Sequence, residues 1–386
     1  MVSGKEILVI CDIFFSKIIS FLQIDSRLRE AKPEKGSQPF GGISIILMGD
    51  FGQLPPVGEK AVYDDVLTKA FEAKGKLVYQ LFNKCVTFES SMRQKDPDQA
   101  QFRDLLHKLS EGQFKHDDYK LLQTRARDNL SEEECNSFLD SGVRLCSRNK
   151  DLKKFNIAKL KELPSPKAIL RAINNPKQAK LASTSTAGGL MNVTLLAEGC
   201  KVLLKKNLYK SAGLVNGARG TIHKIVFKPP NSPLKDPGLP DIIYINIPQY
   251  CGPPLFPDDP KVVPIVPVVS NWISDKKNFT RRQYPLVPAY AMSIHMSQGA
   301  TLDKVSLNIG PKEFAVGLTY TGLSRAKRLD QIMLDPMPDL KRMTGFQRWK
   351  QFKQRLEEEK RLKEIEEKTL IEHDLQSLLT DEYMMD

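Results

Sequence analysis

Two short apolar runs bracket a helix-like segment near the start of the chain, and few folds accept that arrangement. "EILVIC" (6–11) is apolar and β-branched without alternation, which is how a strand buried on both faces reads. "KIISFLQIDSRLREA" (17–31) carries apolar residues at helical spacing, and a Pro/Gly-rich loop, "KPEKGSQPFGG", follows it. The second run, "ISIILM" (43–48), closes a strand–helix–strand unit. Such a unit implies a parallel sheet with a right-handed crossover. Ligands of these sheets sit beyond the C-terminal ends of the strands, and Asp12 and Asp50 both fall at such ends.

The remainder divides by pattern. Residues 60–130 are mostly helical. "VRLCS" (143–147) and the amphipathic "LKKFNIAKLKEL" (152–163) open a second α/β domain near 140. "KVLLKKN" (201–207) reads as a strand, and "GLVNGARGTIHKIVF" (213–227) has Asn-Gly hairpin chemistry. Residues 228–285 are proline-rich with short β-like runs, which suggests a small inserted β module. Strand–turn–strand returns at 289–310, and 317–332 reads as a helix and the segment that follows it. From about 345 the chain is charged, and its pattern predicts a solvated helix laced with i,i+4 pairs.

The 386 residues carry a net charge of +12, which favours a polyanionic partner such as nucleic acid. The six cysteines form no CxxC pair and no zinc pattern, so a reduced intracellular protein without a structural metal is expected. No apolar run reaches membrane-spanning length, and "MVSGKEILVICDIFF" lacks a signal-peptide layout.

"GDFGQLPPV" (49–57), "SSMRQ" (90–94), "GLVNGARG", "IHMSQG" (294–299) and "GLSRA" (322–326) occur in that order. Together with "IDSRLREA" and "YAMSIHMSQGATLDKV" they resemble superfamily-one DNA helicases of the Pif/RecD-like branch, Helitron-type helicases included. The resemblance runs to about residue 335. It implies two RecA-like parallel-sheet domains with a small β-barrel in the second. The corresponding boundaries are 1–135 for a partial first domain, 136–220 with 286–340 for the second, 221–285 for the insert, and 341–386 for a helical tail.

The resemblance also implies roles. Gln53 would contact the γ-phosphate or the attacking water, and Asp50 would share that metal and water network. Arg93 and Arg325 would be the first- and second-domain arginines, a job suited to a planar, always-charged fork. Gln298 would face the nucleotide; His295 and Ser297 would face DNA; Arg219 is a further DNA-contact candidate. Implied cofactors are ATP and magnesium, and the implied partner is DNA, preferably single-stranded. The implied activity is ATP-dependent, 5′-to-3′ unwinding in nuclear DNA repair, recombination and telomere maintenance.

Three positions depart from the pattern. No GxxxxGK[ST] phosphate loop precedes the first strand, so the backbone cradle and its lysine are missing. "CDIFF" (11–15) stands where an Asp-Glu pair belongs. Asp12 therefore serves either as the shortened base beside Cys11 or as the metal ligand, depending on alignment. Met296 replaces a lysine. These departures suggest a chain truncated at its N-terminus and decayed, which alone turns ATP over poorly or not at all. The alternative is a non-catalytic nucleic-acid-binding remnant of a transposon-derived helicase.

Overall fold

The computed structural model describes residues 7–10, 18–88, 90–227, 238–274 and 276–373. The chain forms two compact units, one of residues 1–148 and 293–386, the other of residues 149–292.

The first unit opens with the expected strand–helix–strand order: β1 (Ile7–Ile10), α1 (Ile18–Ala31) and β2 (Ser44–Leu47). β1 and β2 pair in parallel with Val9 opposite Ile46. Ile45 and Leu47 of β2 pack on a core of Phe21, Phe40, Val62, Tyr63, Val78 and Tyr79. The loop between α1 and β2 is tied down by Asp25, only 6% exposed. Its carboxylate accepts from the Phe40 amide at 2.6 Å and from Arg29 at 2.8 Å, and this anchors Phe40 at a positive φ of 54°. α2 (Ala70–Tyr79) lies against α1 at Gly75. A Cβ there would sit 2.2 Å from the Ile18 carbonyl oxygen, so only glycine admits this helix pair.

Next come α3 (Ala100–Ser110), α4 (His116–Gln123), α5 (Glu132–Asp140) and β3 (Val143–Cys146). Ser131 and Glu134 form a capping box at the start of α5.

The second unit begins with α6 (Asn149–Glu162) and is otherwise β-rich. Its strands are β4 (Lys167–Arg171), β5 (Ile173–Asn175), β6 (Val193–Ala197), β7 (Lys201–Leu204), β8 (Arg219–Val226), β9 (Ile242–Asn246), β10 (Val262–Ile265), β11 (Val268–Ser274), β12 (Lys277–Gln283) and β13 (Leu286–Pro288). They pair antiparallel in the orders β10–β9–β8–β7–β13, β11–β12–β5 and β4–β6. β12 thus pairs with β5 and β8 with β7, and both of those partners lie outside 221–285. The expected hairpin over 213–227 takes another form. Residues 213–215 are not a strand; β8 pairs with β7, and the Asn216–Gly217 turn closes onto the Leu204 carbonyl instead.

The chain returns through β14 (Ala291–Ser293), then β15 (Val305–Asn308), α7 (Leu318–Leu323), β16 (Ile332–Leu334), α8 (Leu340–Thr344) and α9 (Lys350–His373). β15 lies between β3 and β16 and is parallel to both. Val305, Leu307, Ile332 and Met333 are fully buried there, as a doubly covered parallel sheet requires.

α9 differs from the sequence expectation. It is not a solvated helix: Phe352, Arg355, Glu358 and Thr369 are buried. Glu358 accepts from the Tyr79 hydroxyl at 2.8 Å, Gln354 donates to Asp65 at 2.8 Å, and the Thr369 hydroxyl accepts from the Cys85 amide at 3.2 Å. Long charged side chains cover apolar surface with their stems, so a charged sequence conceals a packed face. Among the described residues, no helix is long and apolar enough to cross a membrane.

Candidate nucleotide site

The ladder of β2 runs one residue past the strand, with the Met48 amide donating to the Ile10 carbonyl at 2.9 Å. The chain then turns sharply. Asp50 Oδ1 accepts from the Gly52 amide at 2.8 Å, an Asx turn, and the Asp50 carbonyl accepts from the Gln53 amide at 3.1 Å. Leu54, Pro55 and Pro56 are buried and fix the exit. Asp50 Oδ2 accepts from the Gln53 side-chain nitrogen at 3.1 Å and from the Tyr320 hydroxyl at 2.9 Å.

Tyr320 lies on α7. Gly317 precedes that helix at φ 81°, and a Cβ there would stand 2.3 Å from the Gly52 carbonyl oxygen. The Leu54 amide donates to the Thr321 hydroxyl at 3.2 Å. α7 is anchored from behind by Glu313, which accepts from the Thr319 hydroxyl at 2.7 Å and pairs with Arg342. The two side chains of that pair are 3% and 2% exposed. Burial holds the Arg342 guanidinium below its usual pKa, against the pull of Glu313.

Arg93 joins the same region. Its Nε donates to the Thr301 hydroxyl and its Nη1 to the Ser324 carbonyl, each at 3.0 Å. Next to it, Gln94 donates to the Ala326 carbonyl at 2.6 Å. Arg325 is only 1% exposed. It donates to the Thr321 carbonyl at 2.9 Å and the Ser324 hydroxyl at 2.8 Å, and reaches the Ser297 and Ala300 carbonyls at 3.5 Å. "GDFGQLPPV", "SSMRQ", "IHMSQG" and "GLSRA" thus converge on α7 and the turn after it.

The remaining candidates sit as follows. Ser297 is fully buried, and its hydroxyl donates to the Ile294 carbonyl at 2.8 Å, so it shapes its own turn. His295 is partly buried and stacks on Phe314 with ring centroids 6.4 Å apart; burial lowers its pKa. Both side-chain polar atoms of Gln298 are buried without a hydrogen-bond partner. Orphaned polar atoms of this kind are costly, and they fit a site that a polar ligand completes. Arg219 belongs to the second unit, in β8, where its Nη2 lies 2.8 Å from the Met292 sulfur and burial lowers its pKa. Cys11 and Asp12 lie outside the described residues. Among the described residues no group of three acids, histidines or cysteines could hold a metal ion.

Three features escaped the sequence reading. Tyr320 and Thr321 stand within five residues of Arg325, and that proximity was a usable signal. Arg355 of α9, 1% exposed, lines a tightly packed crevice with Gly52, Ser110 and Tyr320, and nothing in its charged context marks it. Beside it, burial pushes the Glu359 carboxyl up to about 7, despite the nearby Arg355 guanidinium, with Glu111 and Asp50 adding to the rise.

Residues 2–120 match the family model for PIF1-like helicases. The chain is 32% identical over 340 residues to the human ATP-dependent DNA helicase PIF1, covering 86% of this chain and 46% of that protein. It is 31% identical over 328 residues to the rat ATP-dependent DNA helicase PIF1, covering 83% and 45%. It therefore spans about half the length of these relatives. The fold is similar to that of Pif1 helicase from Candida albicans, with a TM-score of 0.62 at 23% identity over 88% of this chain and 75% of that one. It is also similar to Bacteroides Pif1 bound to single-stranded DNA, with a TM-score of 0.61 at 21% identity over 88% and 72%. Sequence, relatives and parallel-sheet architecture agree: residues 2–120 match the PIF1-like helicase model, and the chain is similar to PIF1 helicases over most of its length.

Proposed function

We propose that this chain serves ATP-dependent translocation on single-stranded DNA, 5′ to 3′, in nuclear genome maintenance. One observation carries the reading. The Asp50–Gln53 turn and Arg93 both bond to α7 and the segment after it, and that segment bears Arg325. A phosphoryl-transfer site needs this meeting of a water-positioning amide with guanidinium groups from two parts of the chain. A bound nucleoside triphosphate, with its magnesium, would supply the transferable γ-phosphoryl group. Gln53 would orient water, Arg93 and Arg325 would stabilise developing charge, and the Gln298 amide would gain partners.

Charge supports the DNA half of the reading. Residues 149–292 hold 22 Lys and Arg against 8 Asp and Glu, while the rest of the chain holds 36 against 38. The whole positive excess thus lies in the β-rich unit, a footprint suited to a phosphate backbone. That asymmetry also favours a second reading, nucleic-acid binding without turnover, because the 386 residues contain no GxxxxGK[ST]. On the first reading this chain alone turns ATP over slowly.

The deciding experiment measures ATP turnover by the purified chain with and without single-stranded DNA. Weak DNA-stimulated turnover, lost in Arg325→Ala, supports the motor. Salt-sensitive DNA binding with no turnover supports the second reading. Absence of both overturns the two together.

A further inference from the structure

We propose that Tyr320 is a positioning residue for Gln53, acting through Asp50 to hold the Gln53 amide in one orientation. The proposal rests on the functional reading above for its consequence, and on geometry for its substance.

An ionised carboxylate only accepts hydrogen bonds. Asp50 Oδ2 stands 3.1 Å from the Gln53 side-chain nitrogen, so the amide must turn its NH₂ toward Asp50. Its carbonyl oxygen then faces away, free to accept a hydrogen bond from water. The opposite flip would set the Gln53 oxygen against the carboxylate, oxygen to oxygen, and is repulsive. The orientation of Gln53 is therefore as good as the placement of Asp50.

Two donors besides Gln53 fix that carboxylate. The Gly52 amide holds Oδ1 at 2.8 Å, but it belongs to the same turn and moves with it. The Tyr320 hydroxyl holds Oδ2 at 2.9 Å from a separate element. That element is itself braced. Glu313 holds Thr319 on one side of Tyr320, and Thr321 on the other accepts from the Leu54 amide. Burial and the Asp50 charge both disfavour the phenolate, so the hydroxyl remains a donor across the physiological range. Tyr320 thus links the direction of the Gln53 amide, through Asp50, to the helix leading into Arg325.

The test uses the full chain and the Tyr320→Phe variant, which removes one oxygen and keeps the ring. The Gln53 side-chain amide signals are assigned in ¹⁵N spectra by their loss in Gln53→Glu. The expected result in Tyr320→Phe is a shift of these signals toward free-amide positions, with the thermal midpoint showing the chain still folded. Asp50→Asn should displace the same signals. Unchanged Gln53 signals in Tyr320→Phe overturn the proposal. Where the wild-type chain shows ATP turnover, kcat should fall about tenfold or more while KM for ATP stays within about twofold. An unchanged kcat overturns the catalytic consequence. A wild-type chain without turnover removes the functional reading alone, because the resonance measurement still decides the positioning.

Discussion

The Arg93 guanidinium donates to the Ser324 carbonyl, joining "SSMRQ" to "GLSRA" across 231 residues of chain, and its Nε donates to the Thr301 hydroxyl. A single fork bridges two partners. Arg93→Ala should cost about 1–2 kcal/mol, because the Ser324 carbonyl loses a charged donor in a partly buried place. Arg93→Lys should recover less than half of this, since an ammonium cannot reproduce the fork. Urea midpoints of the three proteins check the order; equal midpoints would show that the bridge contributes nothing.

Gly317→Ala tests the close approach of α7 to the Asp50–Gln53 turn. The new Cβ would meet both a φ of 81° and the Gly52 carbonyl oxygen at 2.3 Å. The loss should be about 2 kcal/mol or more. Gly58, also at positive φ but with nothing within 4 Å of its Cβ position, should cost less when replaced by alanine. Equal losses at the two glycines would mean that backbone strain alone matters.

Arg342→Met should be strongly destabilising, by about 3–5 kcal/mol, because it leaves the Glu313 carboxylate buried and unpaired. Adding Glu313→Leu should restore part of that loss. A double-mutant cycle in urea reads the coupling, and simple additivity would contradict the buried pair.

Glu359 sets a pH dependence. Its carboxyl titrates at about 7 in the folded chain, above the 4.5 of an ordinary glutamate. The folded state therefore binds more protons between those values. This group's contribution is fully present below about 4.5, weakens as pH rises, and is lost through about 7. Glu359→Gln cannot ionise, so its stability relative to wild type should rise over that window by about 1–3 kcal/mol. Other carboxylates, such as Glu72, have lowered pKa values and act in the opposite sense, so the difference between the two proteins is the quantity to measure. A difference that stays flat from pH 4.5 to 7.5 would contradict an elevated Glu359.

The parallel pair of β1 and β2 was legible because strands of parallel sheets are apolar without alternation, but the expected burial on both faces is not met: Ile7, Leu8, Val9 and Ile46 are exposed. The Asp50–Gln53 turn was legible because Gly, Asp and Pro-Pro each have local turn chemistry. What escaped was non-local. Tyr320 and Thr321 are ordinary helix residues until Asp50 and Leu54 meet them. Arg355 and Glu358 look solvated in a run of alternating charges, and contacts with Ser110 of α3 and Tyr79 of α2 turn their face inward. The Asn216–Gly217 signal was real, but the strands it joins were set by pairing of β7 with β8, not by the nearest β-rich run.

The division into units has a consequence for the order in which the molecule can form. Residues 149–292 are one unbroken stretch, whereas the other unit is assembled from both flanks. During synthesis the middle of the chain has all its internal partners as soon as it emerges, and domains fold as units. The earlier residues must wait. Asp50 has no Tyr320 until 270 further residues are made, and the Cys85 amide has no Thr369 until 284 are made. The part of the chain born first is thus completed last, and its apolar strands depend on protection from aggregation throughout that interval.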